Sequence, residues 1–153
     1  MALLDKKIPP LALTVVAGVG IWALSAALPG MYLPGWLRLS VSLILLLLGV
    51  GVCAAGVLEF RRAQTTVDPR KPESSASLVS SGIYSVTRNP MYVGFTLVLL
   101  AVTVFLASPW SLLIVVAFVL YLNRYQIRPE EHALVEIFGP EFTEYQSRVR
   151  RWL

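Results

Sequence analysis

Apolar residues in this chain come in long blocks and do not alternate with polar ones. Ile8 to Leu28 is 21 residues without a charge, Leu39 to Leu58 is another 20, and Met91 to Asn123 is 33. About 20 apolar residues cross the hydrocarbon core of a bilayer as a helix, which satisfies its own backbone hydrogen bonds there. The first two blocks predict one span each. The third is too long for one span, and Ser108-Pro109 divides it. Proline breaks the helix before it and suits the first turn of the next. The pattern therefore predicts an antiparallel hairpin with legs of roughly 25 Å at 1.5 Å per residue. Spans are expected at residues 8–28, 39–58, 91–107 and 110–127. The first, flanked by Lys6 and Lys7, resembles a signal peptide with Ser25-Ala26-Ala27 as its small residues. Its length and the span that follows favour a retained anchor.

The polar segments set the orientation. Residues 59–90 carry Arg61, Arg62, Arg70, Lys71 and Arg88, and the tail carries Arg124, Arg128, Arg148, Arg150 and Arg151. The hairpin tip carries no charge, and the first loop has only Arg38 at its edge. The excess of positive charge on the cytoplasmic side of membrane proteins then places both termini and the 59–90 loop in the cytoplasm, in the inner (cytoplasmic) membrane. Composition agrees: 56% of residues are hydrophobic and 14% charged, with a mean hydropathy of +0.69. A soluble domain has about 25% charged residues. The net charge of +4 sits beside apolar runs, which favours a membrane surface over nucleic acid. One cysteine, Cys53, and one histidine, His132, exclude internal disulfides and Cys/His metal clusters, so no metal is expected. No Asp, Glu, Lys or His lies mid-span, which argues against an ion or proton pathway.

The expected fold is an all-α integral membrane protein of one domain, residues 1–153, with four spans and a C-terminal amphipathic helical segment over 129–153. Thr65-Thr66 and Asp68-Pro69 read as turn formers. Pro129-Glu130-Glu131 reads as a helix start, with acids at the positive end of the helix dipole. That helix is expected to run to Phe138. Gly139-Pro140 should stop it and start another, carrying Phe142, Tyr145, Val149 and Trp152 on one face. Ahead of the hairpin stands Gly82-Ile83-Tyr84-Ser85-Val86-Thr87-Arg88-Asn89-Pro90-Met91-Tyr92-Val93-Gly94. Structural roles suffice for each residue alone: Asn89 as a helix cap, Tyr92 as an interfacial anchor, Gly94 for helix packing.

Taken together, Arg88-Asn89-Pro90-Met91-Tyr92-Val93-Gly94 resembles the Arg-His/Asn-Pro-x-Tyr-x-Gly signature of the isoprenylcysteine carboxyl methyltransferase and phospholipid methyltransferase superfamily. Glu130-Glu131-x-x-Leu134 and Phe138-Gly139-x-x-Phe142-x-x-Tyr145 resemble its C-terminal signature. The two motifs flank the hairpin in the family's order, and the likeness, to a small prokaryotic-type member, covers about the last ninety residues. Asn89 stands where eukaryotic members often have His, and Phe142 where Tyr is frequent.

The resemblance implies a methyltransferase using S-adenosylmethionine, with S-adenosylhomocysteine as product and a lipid-like acceptor drawn from the bilayer. It implies that Arg88 meets the donor's carboxylate and that Glu130 or Glu131 meets its ammonium or ribose. Asn89 and Pro90 belong to the same motif. Tyr84 and Tyr92 supply hydroxyls or a π face near the sulfonium. Gly94 permits close approach, and Leu134 and Phe138 wall the adenine. Arg88, Glu131 and His132 are the catalytic candidates. His132 is the base only if the acceptor must lose a proton. Two other readings stand. Sterol reductases using NAD(P)H share a similar signature and hairpin, but Phe95 follows Gly94 where they place Asp. A non-catalytic four-span partner protein is the other.

Overall fold

A computed structural model describes residues 8–63 and 78–153. The expected turns at Thr65-Thr66 and Asp68-Pro69, and the charges of Lys6, Lys7, Arg70 and Lys71, lie outside the described residues. Among the described residues the chain is helical, with one isolated pairing of extended backbone near its end.

Two helices come first, α1 (Pro10–Ala27) and α2 (Gly35–Arg62). A short 3-10 turn, Gly82–Ser85, precedes α3 (Pro90–Phe105). After the tip at Pro109–Ser111 come α4 (Leu112–Leu122), α5 (Arg128–Phe138) and α6 (Pro140–Arg148). By length and composition three helical stretches can cross a membrane: α1, α2 and the run Pro109–Phe138. The expected third span, α3, has 16 residues, or roughly 24 Å at 1.5 Å per residue.

α3 is the central helix and packs on α1, α2 and α4. Ala17 and Ile21 of α1, Tyr92 and Leu99 of α3, and Val115, Phe118 and Leu122 of α4 form the buried cluster, closed by Ile127. The other faces carry bare apolar side chains, such as Val16, Leu47 and Leu113, each more than 60% exposed. Such surface is unfavourable in water and suited to lipid. α2 meets α3 backbone to backbone: a Cβ on Gly94 would lie 2.6 Å from the Gly49 carbonyl oxygen and against Cys53 Sγ. Small residues permit this approach, which is how helices gain contact where no hydrophobic force separates them from lipid.

The fourth span differs from expectation. A helix was expected to restart at Pro129, but the chain runs unbroken from Pro109 to Phe138. A π turn over Asn123–Ile127 makes this possible, with Arg128 N–H donating to the Asn123 carbonyl five residues back. The widened turn shifts the bonding register just ahead of Pro129, where an N–H is missing. Gln126 in this turn is 1% exposed and donates its Nε2 to the Ile8 carbonyl at 2.8 Å, tying the turn to the start of α1. Gly139, at φ +51°, ends α5, and Pro140 begins α6 as expected. The start of α1, the end of α2, the start of α3 and the π turn thus share one end of the bundle with α5 and α6. The other end holds the uncharged tip, where Met31 N–H bonds to Ala107 O at 2.8 Å.

Candidate functional site

At the charged end the two sequence motifs meet. Arg88, two residues ahead of α3, and Glu131, in the first turn of α5, form an ion pair of 3.1 Å between Nη2 and Oε1. Both side chains are 12% exposed. Glu131 also receives Arg151 as a two-pronged partner, Nε to Oε1 at 3.0 Å and Nη2 to Oε2 at 2.5 Å. This fork matches a carboxylate's geometry and makes the hydrogen bonds charge-assisted. The bond to Glu131 holds the Arg151 guanidinium pKa above its ordinary value. Arg88 Nε is buried with no hydrogen-bond partner among the described residues.

Tyr92, one helical turn into the motif, donates its hydroxyl to Glu130 Oε2 at 3.2 Å. Both acids of the C-terminal motif are therefore tied to the first motif, Glu131 through Arg88 and Glu130 through Tyr92. Tyr84 lies buried in the 3-10 turn, its ring edge-on to Phe60 at 5.3 Å. Its carbonyl accepts the Tyr145 hydroxyl at 2.6 Å. Burial, and then the charge of Glu130, push the Tyr84 phenol well above its usual range. Burial pushes the Tyr145 phenol up to about 12, against the opposing influence of Arg88. Both are proton donors at neutral pH.

Among three further candidates, Asn89 departs from the cap expected of it, and Gly94 packs helix on helix as expected. Asn89 does not cap α3: its Nδ2 donates to the Arg151 carbonyl at 2.8 Å. Pro90, first in the helix, needs no cap for its nitrogen. Gly94 turns its bare Cα to Gly49 and Cys53 of α2, so the close approach it permits is helix to helix. His132 is exposed on α5, one residue past the ion pair. Pro90 is fully buried, and a Cβ on Gly56 would lie 3.2 Å from its Cγ. Leu134 and Phe138 are half-buried on α5, three and seven residues beyond Glu131 and on its side of the helix.

The C-terminal segment was expected to be an amphipathic surface element, and it also reaches into the site. Val149 leaves α6 in extended conformation, and Arg150 then pairs in parallel with Thr87. Arg88 N–H donates to the Arg150 carbonyl at 3.0 Å. Thr87, 0% exposed, aims its hydroxyl at the Arg151 carbonyl at 3.4 Å. Trp152 Nε1 donates to Asn123 Oδ1 at 3.1 Å, so the segment also touches the π turn. Arg151, Thr87, Asn123 and Trp152 were not among the sequence candidates. Three arginines in four residues read as a charged rim, and nothing periodic separates Arg151 from its exposed neighbours.

The sequence is similar to those of known proteins. The phospholipid methyltransferase family matches residues 37–141. A protein-S-isoprenylcysteine O-methyltransferase of Saccharomyces cerevisiae is 37% identical over 79 residues, covering 52% of this chain and 33% of that protein. Protein-S-isoprenylcysteine O-methyltransferase B of Arabidopsis thaliana is 29% identical over 124 residues, 79% of this chain and 61% of that protein. An uncharacterized protein of Haemophilus influenzae is 43% identical over 63 residues, 41% of this chain and all of that protein. The chain thus spans from a third to about three fifths of the length of these two named relatives. No solved structure matches it.

Proposed function

Because the chain belongs to the phospholipid methyltransferase family, we propose that it transfers methyl from S-adenosylmethionine to a lipid-like acceptor at the cytoplasmic membrane interface. The observation that carries this reading is the 3.1 Å ion pair joining the two motifs, Arg88 to Glu131. The residues at that junction fit the donor. Its methionine end carries a carboxylate and an ammonium. Arg88 Nε–H, buried and without a partner among the described residues, suits the first. Glu130 and Glu131 suit the second, or the ribose hydroxyls. Tyr84 and Tyr92 present protonated hydroxyls and π faces, and Leu134 and Phe138 present apolar cover for an adenine.

The donor supplies a methyl group already activated on a sulfonium sulfur. The work left to the chain is to bind, to align and to keep water out. Arg88 and Glu131 hold one end of the donor, and Tyr92, hydrogen-bonded to Glu130, holds that acid in place. A carboxylate acceptor, isoprenoid or fatty, needs no base. A phospholipid amine has to lose a proton, and His132 beside Glu131 is the chain's one histidine for that role. The bundle has four spans in this reading, α3 being the short one. The orientation with its charged end and both termini in the cytoplasm is supported by Arg61, Arg62, Arg88, Arg124 and Arg128, which stand together at that end.

The test is incubation of the purified chain with methyl-labelled donor and total membrane lipid, followed by mass spectrometry of the labelled species. Label is expected on a lipid-phase acceptor. S-adenosylhomocysteine is expected to bind and to weaken sharply with Glu131→Ala and with Arg88→Ala. No labelled lipid together with no binding, or binding unchanged in both variants, overturns the proposal.

A further inference from the structure

We propose that Arg151 is a positioning residue that locks the two motifs into one donor-binding unit, a role that rests on the reading above. The argument begins with what Glu131 would lack without it. Arg88 gives that carboxylate a single contact, at one oxygen. One contact leaves a carboxylate free to rotate about it. The fork of Arg151 adds a contact at each oxygen, which fixes the carboxylate plane and the direction of its remaining lone pairs. The same residue acts on the other motif through its backbone. Its carbonyl accepts Asn89 Nδ2 at 2.8 Å and faces the Thr87 hydroxyl at 3.4 Å. Arg151 therefore holds the first motif with its main chain and the second with its side chain.

The guanidinium is not needed to fill space or to keep the tail in place. It is 35% exposed. The tail has its own anchors in the Arg88–Arg150 backbone bond, the Tyr145–Tyr84 bond and the Trp152–Asn123 bond. Its removal should free Glu131 while the segment stays docked. Arg151 also lies beyond residue 141, where the match to the family ends.

The experiment compares the full chain with Arg151→Gln, Arg151→Lys and, as an exposed control, Arg148→Gln. Affinity for S-adenosylhomocysteine is read by calorimetry, and hydrogen exchange is read at the Arg88 and Val149 amides. Arg151→Gln is expected to weaken binding about tenfold while both amides stay protected. Arg151→Lys, which keeps the charge and loses the fork, should fall between it and the wild type. Arg148→Gln should bind within about twofold of the wild type. Unchanged or tighter binding by Arg151→Gln overturns the proposal. So does loss of amide protection matching the loss of affinity, since that means the guanidinium acts only by docking the tail. Failure of the wild-type chain to bind S-adenosylhomocysteine tells against the methyltransferase reading and overturns the positioning role with it. Binding by wild type that Arg151→Gln leaves intact overturns the positioning role alone.

Discussion

Replacing Glu131 with Gln is the sharpest test of the ionic cluster. The substitution keeps the volume and removes the one negative charge that Arg88 and Arg151 share. Two guanidiniums are then left against a neutral amide, and its NH2 can only repel them. A fully exposed pair would contribute roughly 0.2–1 kcal/mol. Breaking a fully buried one costs about 3–5 kcal/mol, because a charge is left without a partner. Arg88, 12% exposed, lies near the buried limit, and Arg151, 35% exposed, can turn to water. The expected cost is therefore about 2–3 kcal/mol, between those limits. For a chain of this size that is a fall of about 5–10 °C in the thermal midpoint, measured in detergent or nanodiscs. Adding Arg151→Gln should recover part of the loss, since it removes one of the two unbalanced charges. A midpoint within about 2 °C of wild type, or a double variant less stable by the sum of the singles, refutes the reasoning.

Gly94→Ala puts a methyl against Cys53 Sγ and the Gly49 carbonyl, and the carbonyl is backbone that cannot turn aside, so α2 and α3 must separate. A loss of more than about 2 kcal/mol is expected from overpacking and strain, read as a lowered thermal midpoint or as poor recovery of folded protein. Tyr145→Phe leaves the buried Tyr84 carbonyl without its 2.6 Å donor and should cost about 1–2 kcal/mol, read in the same assay. The same phenol carries a pH signature. With its folded pKa raised to about 12, its contribution is whole below the ordinary tyrosine value near 10 and is lost as pH rises toward 12, where the unfolded chain releases the proton first. The thermal midpoint of the wild type should fall over that window, and Tyr145→Phe should fall less steeply.

Where backbone chemistry is local, the sequence announced the structure. Pro90 starts α3, Ser108-Pro109 breaks the hairpin, and Gly139 at positive φ ends α5, each for reasons carried within a turn or two. The encounter of Arg88 with Glu131 was expected only through the family's paired motifs, since 42 intervening residues hide it from any local pattern. Continuity through Pro129 was not legible. A proline after a charged residue marks a break in local terms, and only the π turn, held by Gln126 reaching Ile8, removes the need for one. Asn89 was misjudged for a related reason. Its position before Pro90 is that of a cap, but its side chain is turned to donate Nδ2 to a carbonyl 62 residues away, a partner no local pattern reveals.

The placement of the cluster also has an energetic logic. An Arg, a Glu and a second Arg gathered in hydrocarbon would carry desolvation costs that their mutual attraction does not repay. At the end of the bundle Arg151 stays partly solvated and carries the excess charge outward. The inner pair, Arg88 and Glu131, sits where the apolar faces of α3 and α4 end. Under the proposed function, a donor with both charges and a flat apolar base is soluble on one side of that boundary, and a lipid acceptor is soluble on the other. Chemistry between them requires polar groups at the boundary that do not wander. The chain meets that requirement with a tail that folds back across both motifs and closes on the one carboxylate they share.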